Sequence, residues 1–113
     1  MTSDIEKAQR IAQLNDLARK AMGIACKLVQ TSGICALASA DQSAIRERVE
    51  TFDNFTPDND PYGEHDFGSI DHKGLRIYFK IDYYDPTLNC GSEDPADPKQ
   101  TTRVLTIMLA DEY

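Results

Sequence analysis

Between Leu75 and Tyr84 the chain alternates without a break. Leu75, Ile77, Phe79, Ile81 and Tyr83 fall on one side of an extended backbone, and Arg76, Tyr78, Lys80, Asp82 and Tyr84 fall on the other. A period of two is the pattern of a strand with one buried face; a helix would scatter both sets around its axis. The segment therefore commits the chain to a sheet whose other face, with its tyrosines, meets solvent or a partner. Asp71-His72-Lys73-Gly74 just before it reads as a tight turn, with Gly where positive φ is favoured. A preceding strand is expected at 64–70. The final stretch, TTRVLTIMLAD, places Leu105, Ile107 and Leu109 on one face and Val104, Thr106 and Met108 on the other. Apolar residues on both faces predict a central strand.

The helices are signalled by caps and by a longer period. Ser3 and Glu6 match a capping box, and Ile5, Ala8, Ile11, Ala12, Leu14, Ala18 and Ala21 follow at helical spacing. Gly23 can end that helix, which is expected at 4–22. Residues 24–31, IACKLVQT, suit a short strand broken at Gly33. Ser39 with Gln42 suggests a second capping box, opening a helix at 40–52 with Ile45, Val49 and Phe52 on its apolar face. Pro57 and Pro61 argue against regular structure up to Gly63. The expected fold class is α+β in the order α-β-α-β-β-β. It is a small antiparallel sheet of about four strands, with two helices packed on one face. At 113 residues the chain is read as one domain, 1–113, able to bury a single core.

Charge is placed unevenly. Residues 53–97 hold eleven Asp and Glu against three Lys and Arg, within a chain whose net charge is −7. Such a patch opposes folding by self-repulsion and asks for a functional reason. It speaks against direct binding of nucleic acid, which needs a positive surface. Lys7, Arg10, Arg19, Lys20 and Lys27 read as a solvated helix face. Three cysteines, Cys26, Cys35 and Cys90, form no Cys-x-x-Cys spacing, against both a disulfide framework and a structural zinc site. With no apolar run of membrane-spanning length and no signal core at the start, a cytoplasmic protein without membrane contact is expected.

Few residues carry recognisable chemistry. Asp58, Asp60, Gly63 and Asp66 loosely follow a calcium-loop spacing. The match fails at Tyr62, where a third ligand belongs, and at Ser69, in place of the closing Glu. The plainer reading is an Asp/Asn/Pro turn whose side chains cap the backbone. No cofactor, metal ligand or catalytic residue is assigned. Either His65 or His72 could act as a general base beside a carboxylate such as Glu64 or Asp66, but without a paired nucleophile both read as surface residues. Cys90, before Gly91, sits in an exposed loop.

The strings DNFTPDNDPYGEHDFG, KIDYYDP, GSEDPADP and TTRVLTIMLADEY resemble a family of short bacterial proteins classed only as a domain of unknown function. The likeness spans roughly residues 5–113. It implies no catalytic residues. Members are often carried on mobile elements, a setting that implies action against host defence.

The preferred expectation is a small acidic protein-binding module whose partner is a basic protein surface. In its sharp form it inhibits a nucleic-acid-handling complex, of anti-CRISPR or anti-restriction type, by setting carboxylates where phosphates would lie. Its candidate binding residues are Asp58, Asp60, Tyr62, Glu64, Asp66, Tyr78, Asp82, Tyr84, Asp85, Glu93 and Asp94. Tyr suits recognition because it buries much area at low entropy cost. The alternatives are a divalent-metal-dependent hydrolase or nuclease built on the Asp58–Asp66 cluster, and a structural or regulatory module that oligomerises.

Overall fold

A computed structural model describes residues 3–113. Helix α1 runs Asp4–Lys20, strand β1 Lys27–Gln30, the one-turn helix α2 Ser32–Cys35 and helix α3 Ser39–Thr51. Strands β2 (Phe67–His72), β3 (Leu75–Tyr84) and β4 (Thr102–Leu109) follow, and a 3₁₀ turn at Ala110–Glu112 closes the chain. The fold is α+β, as the patterning indicates.

The four strands lie in the order β1-β4-β3-β2. β2, β3 and β4 form the antiparallel meander, and β4 is central. The all-antiparallel expectation fails at β1, which pairs parallel to β4 with Lys27 opposite Val104. The reason is the crossover. Helices α2 and α3 carry the chain over the covered face to the far edge, so β2 starts in the same direction as β1. Two reversals through the meander then bring β4 back alongside β1, parallel to it. α2 is a helix the sequence reading did not include.

The alternation of β3 is realised directly. Ile77, Phe79 and Ile81 are buried with Leu105 and Ile107 of β4 and Ile70 of β2. Ala18 of α1, Ile34 of α2 and Ile45 and Val49 of α3 close the same core, so the helices share one face of the sheet. Gly68 sits opposite Phe79 in the β2–β3 register. A Cβ there would lie 2.2 Å from the Phe79 ring, so this close approach demands glycine. The β2–β3 turn has Lys73 and Gly74 at φ 49° and 83°, the two-residue hairpin geometry.

Ser3 caps α1 as expected, its hydroxyl accepting from the Glu6 N–H at 3.1 Å. The second box does not form. Ala38 is the N-cap of α3 without a side-chain bond, and Gln42 instead donates to the Cys35 and Leu37 carbonyls. Those carbonyls end α2 and would otherwise be unpaired, so α2 takes the side chain that the box would have used. β2 begins at Phe67, three residues later than expected, because His65 takes a left-handed φ of 58° that no strand accommodates.

Candidate binding site

The irregular segment 53–66 is held against α1 by polar contacts. The buried stripe of α1 is Ile11, Ala12, Asn15, Ala18 and Arg19, so two polar side chains enter the interior one turn apart. Arg19, expected on the solvated face, is 3% exposed. It donates to the carbonyls of Val49 and Phe52, each at 2.8 Å, and to Asp16 at 2.7 Å. Those carbonyls lie at the C-terminal end of α3, where that of Val49 accepts otherwise only from the Phe52 N–H at 3.4 Å among the backbone bonds of the cap, and a cation there also suits the helix dipole. Its guanidinium lies 5.2 Å from the Phe55 ring centre and 5.6 Å from that of Phe79.

Asn15 is the second anchor. Its amide donates to the Glu64 carbonyl at 2.9 Å and to the Tyr83 hydroxyl at 2.8 Å, and its oxygen accepts from Arg103 at 2.7 Å. Tyr83 in turn donates to the Glu64 carboxylate at 2.7 Å. Burial first, and that bond second, push the Tyr83 hydroxyl far above its usual range, so it stays a donor. A complete network of this kind fixes one geometry, because any member left alone would be a buried unpaired group.

His65 is set between two carboxylates. Its Nδ1 lies 2.9 Å from Asp16 Oδ1 and therefore carries the proton, since a carboxylate only accepts. Its Nε2 is 3.9 Å from Asp60 Oδ2. Its ring stacks on Phe55 at 4.0 Å, nearly parallel. The partners are thus Asp16, distant in sequence, and Asp60, rather than Glu64 or Asp66. His72, at the other end of β2, bonds Asp41 at 2.9 Å.

Asp60 is the most enclosed of the candidate residues, at 8% exposure. It accepts from the N–H groups of Glu64 and His65, each at 3.2 Å, which holds the left-handed turn. Asp60 also lines a groove of about 430 Å³ between α1 and the loop, together with Ile5, Ala8, Pro57, Pro61 and Tyr62. Asp58 and Tyr62 stand exposed at the loop tip. A second hollow of about 410 Å³ lies on the far side of His65, beside Asp16, Lys20 and Asp53.

The other candidates fall into two groups. Tyr78, Asp82 and Tyr84 lie on the uncovered face of β3, where Lys80 pairs with Asp82 at 2.7 Å. Phe67, Tyr78 and Tyr113 form an aromatic cluster there, with ring centres 5.0 to 6.0 Å apart. Asp66 connects this face to the loop. Burial raises its carboxyl above the usual range, and the charges of Glu64, Asp60 and Asp82 add to the effect. Asp85, Glu93 and Asp94 lie apart, in the loop after β3. Asp85 accepts from Thr87 and Asn89, and Asp94 pairs with Lys7 at 3.4 Å.

Sequence reasoning did not single out Asn15, Asp16, Arg19, Phe55 or Arg103 as site residues. The available signal was that Asn15 and Arg19 continue the Ile11–Ala12 stripe at helical spacing, where polar residues need buried partners. Among the described residues no three His, Cys, Asp or Glu side chains gather as metal ligands, and no helix is long and apolar enough to cross a membrane. No curated protein and no solved structure matches the chain. A family profile does match, from Gln30 to Glu112, a narrower span than the resemblance in the sequence and one that leaves α1 outside. The chain belongs to the family described as protein of unknown function, DUF3768, by that match over residues 30–112.

Proposed function

We propose that the chain is a small acidic protein-binding module that docks on a basic protein surface, one of the kind built to hold nucleic acid. The observation that carries this reading is the convergence of Asp60, Glu64, Asp66 and Asp82: Asp60 accepts from the Glu64 N–H at 3.2 Å, and the Asp66 carbonyl accepts at 2.8 Å from the N–H of Ile81, the neighbour of Asp82. Among the described residues, a lysine or arginine pairs only with Asp82 of these four. Such a cluster gains most when a partner brings cations to it. The uncovered aromatic face beside Asp82 supplies apolar area of the type that anchors an interface. Of the three free thiols two are exposed, which fits action in the reducing cytoplasm.

The test is capture of basic proteins at low salt, with elution by salt and by competing DNA. Charge reversal belongs at Asp58, Asp82 and Glu93, because Asp60 and Asp85 hold their own turns. The triple variant D58K/D82K/E93K should fold and lose binding by at least about tenfold, an increment of about 1.4 kcal/mol. Unchanged binding by a folded triple variant, or binding insensitive to salt, refutes the reading.

A further inference from the structure

A buried carboxylate normally has a full cationic partner, because desolvating the charge is costly. Asp60 does not. Its side chain is 5% exposed, and its nearest cationic candidate is His65, at 3.9 Å. Its two backbone donors, the N–H groups of Glu64 and His65, leave carboxylate acceptor capacity unused. Asp60 and His65 are both among the residues that line the groove between α1 and the loop. The groove's rim is apolar and uncovered: Tyr62 is 80% exposed and Ile5 73%.

We infer that this groove is a receptor for one basic side chain of the partner, a lysine or arginine whose charged end reaches Asp60 and whose aliphatic stem lies along Ile5, Ala8 and Tyr62. The inference rests on the reading of the chain as a module for basic surfaces and names where a single anchor enters. Long basic side chains suit such a site because the stem buries against apolar walls while the head keeps a polar partner. A charge-assisted hydrogen bond to a carboxylate already withdrawn from water is stronger than one at the surface. A volume of about 430 Å³ lies within the range of small-ligand sites. An anionic ligand is disfavoured there by Asp60, and an uncharged apolar one would leave the carboxylate buried without its cation.

The experiment is an NMR titration of the isotope-labelled chain with the N-acetyl, N-methylamide forms of lysine and arginine, and with the norleucine form as uncharged control. Saturable shifts are expected at the amides of Ala8, Gln9, Thr56 and Gly63 with the charged probes, and at least about tenfold weaker binding of norleucine. D60N should erase the preference for charge. Should D60N not fold, A8F fills the groove from the helix side without touching Asp60, and should abolish the shifts. Equal response to lysine and norleucine, no saturable shift at those amides, or undiminished shifts in A8F overturns the inference. Failure here is separable from failure of the parent reading. Salt-sensitive binding of basic proteins that A8F leaves intact removes the groove and keeps the module. Saturation by the basic probes without capture of any basic protein removes the module and keeps the groove.

Discussion

Segments 53–66 and 85–101 are alike in composition and opposite in construction. Both are irregular, acid-rich and broken by proline. In 85–101 the acids serve their own turns: Asp85 accepts from Thr87 and Asn89, Asp94 from Ala96, and Asp97 from Lys99 and Gln100. In 53–66 the fold draws the polar groups onto α1, through Glu64 to Asn15 and Tyr83 and through His65 to Asp16. The second loop also meets the rest of the fold, through Asp94 to Lys7, the Pro95 carbonyl to Arg103 and the Ser92 N–H to the Tyr83 carbonyl, but its Asp85–Asn89 turn is satisfied within itself. A loop satisfied by a helix is held at a fixed distance from it, and a groove can persist between the two. Stability and the candidate groove are therefore linked in the first segment, whereas the Asp85–Asn89 turn of the second stands apart from both.

The largest test of that contrast is Arg19→Ala. It removes the donor to the Val49 and Phe52 carbonyls at the C-terminal end of α3 and the cation beside Asp16, which keeps only His65, and should cost about 3 kcal/mol in urea unfolding. A loss below about 1 kcal/mol, the worth of a single ordinary hydrogen bond, would show that the joint is not held by Arg19. Asn15→Leu comes next, at about 2 kcal/mol, because Arg103 and the Glu64 carbonyl each lose a buried partner. It should also speed hydrogen exchange through 60–66 while leaving the Asp85–Asn89 turn unchanged, since that turn makes no bond to Asn15 or Arg103. Equal exchange in both loops would erase the distinction drawn between them.

The pH dependence sharpens the comparison, since Asp66 is shifted one way and Asp85 and Asp97 the other. Asp66 is raised above its ordinary 3.8, chiefly by burial. Its charged form therefore opposes folding, fully so above the raised value, and that penalty fades as pH falls through the raised value and is gone below 3.8. Asp66→Asn should raise Tm by a few degrees at neutral pH and lose this advantage on acidification. Asp85 and Asp97 are lowered, chiefly by the side-chain bonds to Thr87 and Gln100 respectively. Their support is complete above 3.8 and is lost as pH drops through the lowered values. The smallest effect is that of Asp85→Ala. The midpoint of unfolding should barely move, and faster exchange should be confined to Thr87 and Asn89. A drop in Tm as large as that of Asn15→Leu would place the second loop inside the core's cooperative unit.

Local pattern made the strands and the first helix legible along the chain. Period-two alternation determined β3, its hairpin turn and the central place of β4, because strand geometry acts between neighbouring residues. The capping signal of Ser3 and the apolar spacing after it determined α1 for the same local reason. The parallel pairing of β1 belonged to tertiary structure, because it depends on how α2 and α3 carry the chain across the sheet. So did the fate of each charge. Asp60 and Asp85 are the same residue in similar company along the chain, yet one is enclosed beside a groove and the other caps an outer turn. Burial and partners arise between residues about fifty positions apart, such as Asp16 and His65, and Coulomb and desolvation energies follow distance in space rather than distance along the chain.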